Sequence, residues 1–178
     1  MNTDNHLAKL LTMYGQQQSF QRHESIFCQG DDDGHIYFVQ TGLLKAYYVS
    51  SEGKESIKSF VAEGNMIGSL NSVVNQAGCS FSLVALEASQ LLRLPFSLLV
   101  DKAAQSHPLA NDVIQQLLAL AMKKEQREFE FLSLSAEQRY QRFLAQAPQL
   151  IDRITQSDMA RYLGVTPVAL SRIKKRCG

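Results

Sequence analysis

Cysteine is scarce in this 178-residue chain, which carries only Cys28, Cys79 and Cys177. They are odd in number, far apart and without metal-ligand spacing, so neither a disulfide framework nor a zinc cluster is expected. No apolar run approaches the length of a membrane span, and no secretory leader pattern is present. The compartment these absences imply is a reducing cytoplasm, with no membrane partner. Nucleophile-elbow, zinc, phosphate-loop and dinucleotide motifs are missing too, and no local pattern assembles the Ser, His and Asp residues. An enzyme is therefore not expected, and nothing calls for a metal or other cofactor. Charge is also absent from one whole stretch: between Gly64 and Ala85 there is no Lys, Arg, Asp or Glu.

What is present is concentrated in Ile154–Lys174. Thr155 with Asp158 three residues on is a capping-box pattern, with Asp in the usual Glu place, and marks a helix start. Met159, Ala160 and Leu163 form one apolar face. Gly164 supplies the left-handed turn that ends the helix. Thr166-Pro167 then reads as an N-cap followed by proline at the first helical position. Leu170 and Ile173 carry the apolar face of the second helix. A small residue where the helices cross, a glycine turn and a branched residue filling the gap are the parts of a helix-turn-helix, whose second helix enters a DNA groove. An ordinary helical hairpin has the same outline, but the charge distribution favours DNA. Residues 133–178 hold 8 Lys/Arg against 3 Asp/Glu, while residues 1–106 hold 7 against 10 and residues 107–132 hold 3 against 4. The positive surplus lies where phosphate contact needs it.

The front of the chain has a different rhythm. Leu7, Leu10, Leu11 and Tyr14 predict a short amphipathic helix over residues 5–14. From Phe20 to Leu94 come short segments rich in Val, Ile, Phe and Tyr: SIFCQG, HIYFVQTG, LLKAYYVS, ESIKSFV, SFSLVAL and SQLLRLP. Glycines at 30, 42, 53, 64 and 68 punctuate them as turns, and this spacing predicts a sandwich or barrel. His23 and His35 read as turn or surface residues. Residues 96–105 resemble a short helix. After His107-Pro108 the chain runs to Leu134 without Gly or Pro. Val113, Ile114, Leu117, Leu118, Leu120, Ala121 and Met122 make that helix apolar nearly all round, so burial on several sides is expected.

The segments IFCQG, IYFVQTGLLKAYY, EGKESIKSF and EGNMIGSL, followed by a long helix and a helix-turn-helix, resemble the Crp/Fnr family of bacterial transcription regulators. The resemblance runs from about Leu7 to Lys175. It implies an α+β fold: an N-terminal cyclic-nucleotide-binding-like β-roll (a double-stranded β-helix or jelly roll) with flanking helices over residues 1–106, a long dimerisation helix over 107–132, and a C-terminal helix-turn-helix domain lacking a full wing over 133–178. It also implies a homodimer, with Ile114, Leu117, Leu118 and Ala121 on the seam. Double-stranded DNA is the implied partner, and RNA polymerase is a further candidate.

In nucleotide-binding relatives, the loop resembling Met66–Leu83 cradles the cyclic phosphate with a glycine, a Glu, and an Arg followed by Ser or Thr. Here those places read Gly68, Ser69, Cys79 and Ser80, so both charged anchors are lost. Tight binding of cyclic AMP or cyclic GMP is not expected. An unknown small-molecule effector would have Gly68, Ser69, Cys79, Ser80, Met122 and Lys123 as candidate contacts, although plain loop packing explains Ser69, Cys79 and Ser80 as well. Phe129, Phe131 and Leu132 are expected to anchor the hinge between domains. Ser135 with Gln138 forms another capping box, and Ala147-Pro148 ends its helix.

By the same resemblance, Thr166, Pro167, Val168, Ser171, Arg172, Lys174 and Lys175 face DNA, with Arg172 suited to a guanine and Thr166 to a phosphate. Pro167-Val168 stands where many relatives carry a base-reading Arg-Glu pair, so their operator sequence does not transfer. The chain stops at Gly178, where relatives continue into a β-hairpin wing, so no wing contact is expected. Two alternatives stay open: an effector-independent DNA binder using the roll as a scaffold, and a ligand-binding or interaction module without DNA readout.

Overall fold

The structure is a computed structural model and describes residues 5–177. Helix α1 (His6–Tyr14) opens it, capped by the Asn5 side chain, which accepts from the Ala8 amide at 2.9 Å. Eight strands follow: β1 (Gln16–Phe20), β2 (Ser25–Phe27), β3 (His35–Thr41), β4 (Leu43–Val49), β5 (Glu55–Ala62), β6 (Met66–Ile67), β7 (Ser82–Ala85) and β8 (Ser89–Pro95). A short helix α2 (Leu70–Asn75) lies between β6 and β7. The strands form two antiparallel four-stranded sheets, ordered β1-β8-β3-β6 and β2-β7-β4-β5.

Phe27, Val39, Leu44, Ala46, Phe81, Leu83 and Leu91 fill one core cluster, to which both sheets contribute. Alternation drives this arrangement: in β4, Leu44 and Ala46 are fully buried while Lys45 and Tyr47 face outward. Of the five punctuating glycines, Gly30, Gly42, Gly53 and Gly64 have positive φ. Gly68 does not and is no turn. It is small because a Cβ there would come 2.9 Å from the His35 carbonyl oxygen. His35 begins β3, as the segment HIYFVQTG has it, but it is half-buried rather than a turn or surface residue, with its Nδ1 2.7 Å from Asp33 Oδ1 and 3.0 Å from Arg93 Nη2.

Helix α3 (Phe96–Ala104) leads to α4 (His107–Ser133), whose 27 residues span roughly 40 Å at the α-helical rise. Within one chain α4 is far less buried than its apolar composition predicts. Leu109 is buried, Val113 and Leu120 are half-buried, and Ile114, Leu117, Leu118, Ala121 and Met122 are exposed. Helix α5 (Ala136–Gln146), a 3₁₀ turn (Pro148–Leu150), α6 (Gln156–Leu163) and α7 (Pro167–Cys177) complete the chain. Their core of Tyr140, Phe143, Met159, Leu163, Leu170 and Ile173 is continuous with Leu43 and Leu86 of the roll. The helical head is therefore docked on the sheets rather than tethered to them.

Candidate nucleic-acid interface and effector loop

The reading head is assembled by local caps. The Ser135 hydroxyl accepts from the Gln138 amide at 3.2 Å, and the Gln138 side chain accepts from the Ser135 amide at 2.9 Å. At α6, Thr155 Oγ1 accepts from the Asp158 amide at 3.0 Å and donates to Asp158 Oδ2 at 2.6 Å. The shorter Asp carboxylate binds the Thr hydroxyl instead of reaching its backbone. Gly164 adopts φ 70°, and a Cβ at that position would lie 2.8 Å from the Phe131 ring. Glycine is thus required twice, for the left-handed turn and for close approach. Thr166 Oγ1 accepts from the Ala169 amide at 3.2 Å, capping α7. Ala160 and Leu170 are both fully buried, so α6 and α7 pack without a gap.

With Leu170 and Ile173 turned inward, α7 presents Thr166, Pro167, Val168, Ser171, Arg172 and Lys175 to solvent, while Lys174 is half-buried. Beside this face lies a cavity of about 620 Å³, floored by Ala136, Val165, Ala169 and Ile173 and rimmed by Arg172, Lys175 and Arg176. Its polar edge carries only positive charge, an arrangement suited to a phosphate backbone. Ala136 brings the N-terminal end of α5 to the same place, a contribution its sequence position did not suggest.

Phe131 meets the hinge as expected, beside Gly164 and stacked by Arg127 and Arg139 at 4.7 and 4.8 Å. Leu132 does not; it is 79% exposed and anchors nothing in this chain. Two arginines brace the hinge instead. Arg139 donates to the Leu163 and Leu134 carbonyls at 3.0 and 2.7 Å, capping the ends of two helices. Arg127 donates to the Ile57 and Tyr162 carbonyls at 3.0 and 2.8 Å. Apart from the Arg139–Leu134 bond, five residues apart, no sequence spacing marks these bonds, because the partners lie 24 to 70 positions away.

The roll's loop closes on itself. Gly68, Ser69, Cys79 and Ser80 are brought together, with Ser69 Oγ accepting from the Ser80 amide at 3.1 Å. Asn71 donates to the Gly78 carbonyl at 2.8 Å, and Ser72 Oγ accepts from the Asp33 amide at 3.1 Å. Ser69 and Cys79 are buried, and burial raises the Cys79 thiol above its ordinary pKa, away from reactivity. The buried Phe81 ring lies edge-on between Phe27 and Tyr48, with centroids at 5.3 and 6.5 Å. Lys58 covers it, its ammonium 4.3 Å from the ring centroid. Burial, then Lys124 and Arg127, bring the Lys58 pKa down to about 8. Lys123 donates to Asn65 at 3.2 Å, whereas Met122 is 68% exposed. Among the described residues no cluster of His, Cys, Asp and Glu is placed to hold a metal, and no helix is long and apolar enough to cross a membrane.

Residues 17–106, half of the chain, match the cyclic nucleotide-binding domain family. The regulatory protein HlyX of Actinobacillus pleuropneumoniae is 29% identical, the match covering 98% of this chain and 76% of that protein. The fumarate and nitrate reduction regulatory protein of Vibrio cholerae is 25% identical, covering 97% and 73%. Among solved structures, FixK2 from Bradyrhizobium japonicum superposes with a TM-score of 0.80 at 18% identity, over 91% of this chain and 83% of that one. The Thermus thermophilus catabolite activator protein superposes with a TM-score of 0.62 at 21% identity, over 98% and 84%. With a roll of that family at its front and a capped helix-turn-helix behind it, the chain belongs to the cyclic nucleotide-binding domain family and is a DNA-binding transcription regulator of the Crp/Fnr type.

Proposed function

We propose that the chain acts as a homodimer on double-stranded DNA, with α4 as the seam and α7 of each protomer in a major groove. The observation that carries this is the solvent-facing side of α7, where Ser171, Arg172 and Lys175 stand free on a helix rigidly capped and packed from behind. Arg172 is the principal base or phosphate contact, Thr166 and Lys174 reach the backbone, and Pro167 and Val168 offer apolar contact to thymine methyls. A two-fold axis along the Ile114, Leu117, Leu118 and Ala121 face would set the two reading helices about 34 Å apart, one helical turn of DNA. RNA polymerase is the downstream partner this role calls for.

The roll does not hold cyclic AMP or cyclic GMP tightly in this reading, because Ser69 and Cys79 replace the charged anchors and satisfy the loop internally. The same closure favours a second reading, in which DNA binding is effector-independent and the roll serves as scaffold. Both readings share one experiment. A duplex selected from a random-sequence library by the unaltered protein is titrated with protein at several salt concentrations. Salt-dependent binding is expected, weakened by about 1–3 kcal/mol in Arg172→Ala if a bidentate base contact is lost. Affinity that ignores both salt and Arg172 would overturn the assignment and favour an interaction module without DNA readout.

A further inference from the structure

We infer that Arg153 is a positioning residue for DNA reading: it plugs into a carboxylate cup built from three turns of the β-roll and so fixes the direction in which α7 points. The inference rests on the DNA-reading role proposed above.

Arg153 lies between the 3₁₀ turn and α6, on the side of the head that meets the roll. Its Nε and Nη2 donate to the two oxygens of Glu87 at 2.8 and 2.9 Å. Its Nη2 and Nη1 donate to those of Glu63 at 2.8 and 3.1 Å. Glu63 sits in the turn between β5 and β6, and Glu87 in the turn between β7 and β8. A third turn braces the cup: the Gly42 amide, between β3 and β4, donates to Glu63 Oε1 at 3.0 Å. The Ser89 hydroxyl holds the Glu87 carbonyl at 2.8 Å. Isolated surface ion pairs contribute little, but a guanidinium bonded two-pronged to two braced carboxylates is the geometry in which they do. Arg153, hydrogen-bonded to it, lowers the Glu63 pKa to about 2.

A second clasp lies along α6. Lys45 on β4 reaches Asp158 at 3.4 Å and Glu55 at 3.6 Å, and Arg161 reaches Glu55 at 2.7 Å. Phe60 on β5 packs on Tyr162 with centroids 5.3 Å apart. Apart from the Lys45–Glu55 pair within the roll, each of these contacts engages α6 or the turn before it, and none engages α7. The roll therefore grips α6, α6 grips α7 through Ala160 and Leu163, and the reading face stays outward. A dimer that must set two α7 helices one DNA turn apart gains affinity when its heads cannot swivel, because the ordering cost is met before DNA arrives.

The test uses the full chain and the selected duplex, with Arg153→Gln and the double variant Glu63→Gln/Glu87→Gln. Each is expected to weaken binding by roughly tenfold, within the span of measured couplings between sites. The salt slope should not change, and combining all three substitutions should weaken binding no further. A separate readout addresses the docking itself. Nitroxides on the native Cys28 and Cys177, one on each unit, diluted with unlabelled protein, should give a narrow distance distribution that broadens in Arg153→Gln. Arg153→Lys, a point charge that cannot fork onto both carboxylates, should fall between the two. Three results would overturn the inference. One is a salt slope reduced by about one with the glutamate variants unaffected, which would make Arg153 a phosphate contact. Another is tighter DNA binding by the glutamate variants, which would make the cup a competitor. The third is an unchanged distance distribution in Arg153→Gln. If the unaltered protein bound no duplex, the DNA-reading role would fail, while the distance measurement would still decide the docking.

Discussion

Replacing Leu118 with Glu should split the dimer without unfolding the chain. In one protomer the large seam residues Ile114, Leu117 and Leu118 are 50, 47 and 52% exposed, so about half of each side chain is left for a partner to cover. Covering half of such a side chain contributes about 1 kcal/mol, so six of them across a two-fold seam contribute roughly 6 kcal/mol before the cost of association. Leu118→Glu removes about 1 kcal/mol from each side. It also brings two like charges to a seam where each must lose water. A total loss of at least about 3 kcal/mol raises the dimer dissociation constant about a hundredfold or more. Sedimentation velocity over a concentration series measures this directly. Helical content should not change, since Leu118 is half exposed before dimerisation, and Leu118→Met should keep the wild-type constant. A dissociation constant for Leu118→Glu within threefold of the wild type would show that α4 is not the seam.

Cyclic AMP titrated calorimetrically into the protein should give no saturable heat in the micromolar range; micromolar binding would mean that the loop opens and that backbone donors alone suffice for the phosphate. Lys58→Met should raise the melting temperature at pH 7, because the lowered pKa means the folded state bears the cost of the buried ammonium. Below pH 8 that cost is present in full. Between pH 8 and 10.5 the folded chain releases a proton that the unfolded chain retains, so wild-type stability rises and the advantage of the variant shrinks. The gain at pH 7 should be about 1–2 kcal/mol after loss of the cation–π contact with Phe81. A variant less stable than the wild type at pH 7 would show that the ammonium contributes more over Phe81 than its burial costs.

The parts of this fold legible in the sequence are those whose causes lie within a few residues. Ser135 with Gln138, Thr155 with Asp158, Gly164, and Thr166-Pro167 each act within one helical turn, and each ends or begins a helix where the spacing puts it. Strand β1 was illegible because QQQSF has no apolar alternation; it needs none, being an edge strand paired only with β8. Strand β6 is two residues long, and α2 sits without a side-chain cap in a stretch that reads as loop. His35 looked like a turn residue because its partner Arg93 is 58 positions away. In the effector loop the missing charges were visible, but the bonds that close it were not, since Ser69 and Ser80 meet only after the sheets form.

The charge of the reading head shows the same division more sharply. Composition alone shows eight cations against three acids in residues 133–178, with nothing to tell one cation from another. Contact by contact, most have other partners. Arg139 caps the carbonyls of Leu134 and Leu163. Arg142 lies 3.5 Å from Glu130, and Arg176 lies 3.8 Å from Glu137. Arg153 and Arg161 face the roll through Glu63, Glu87 and Glu55. Arg172, Lys174 and Lys175 remain, without a carboxylate partner among the described residues, and all three are on α7. A net surplus is a weak argument for nucleic acid, because any cation can be answered within the fold. Cations left unanswered on the one helix that the caps and the core turn outward make a stronger one. Among the arginines subtracted from the census, Arg153 and Arg161 hold the head on the roll, and Arg139 caps the ends of α4 and α6.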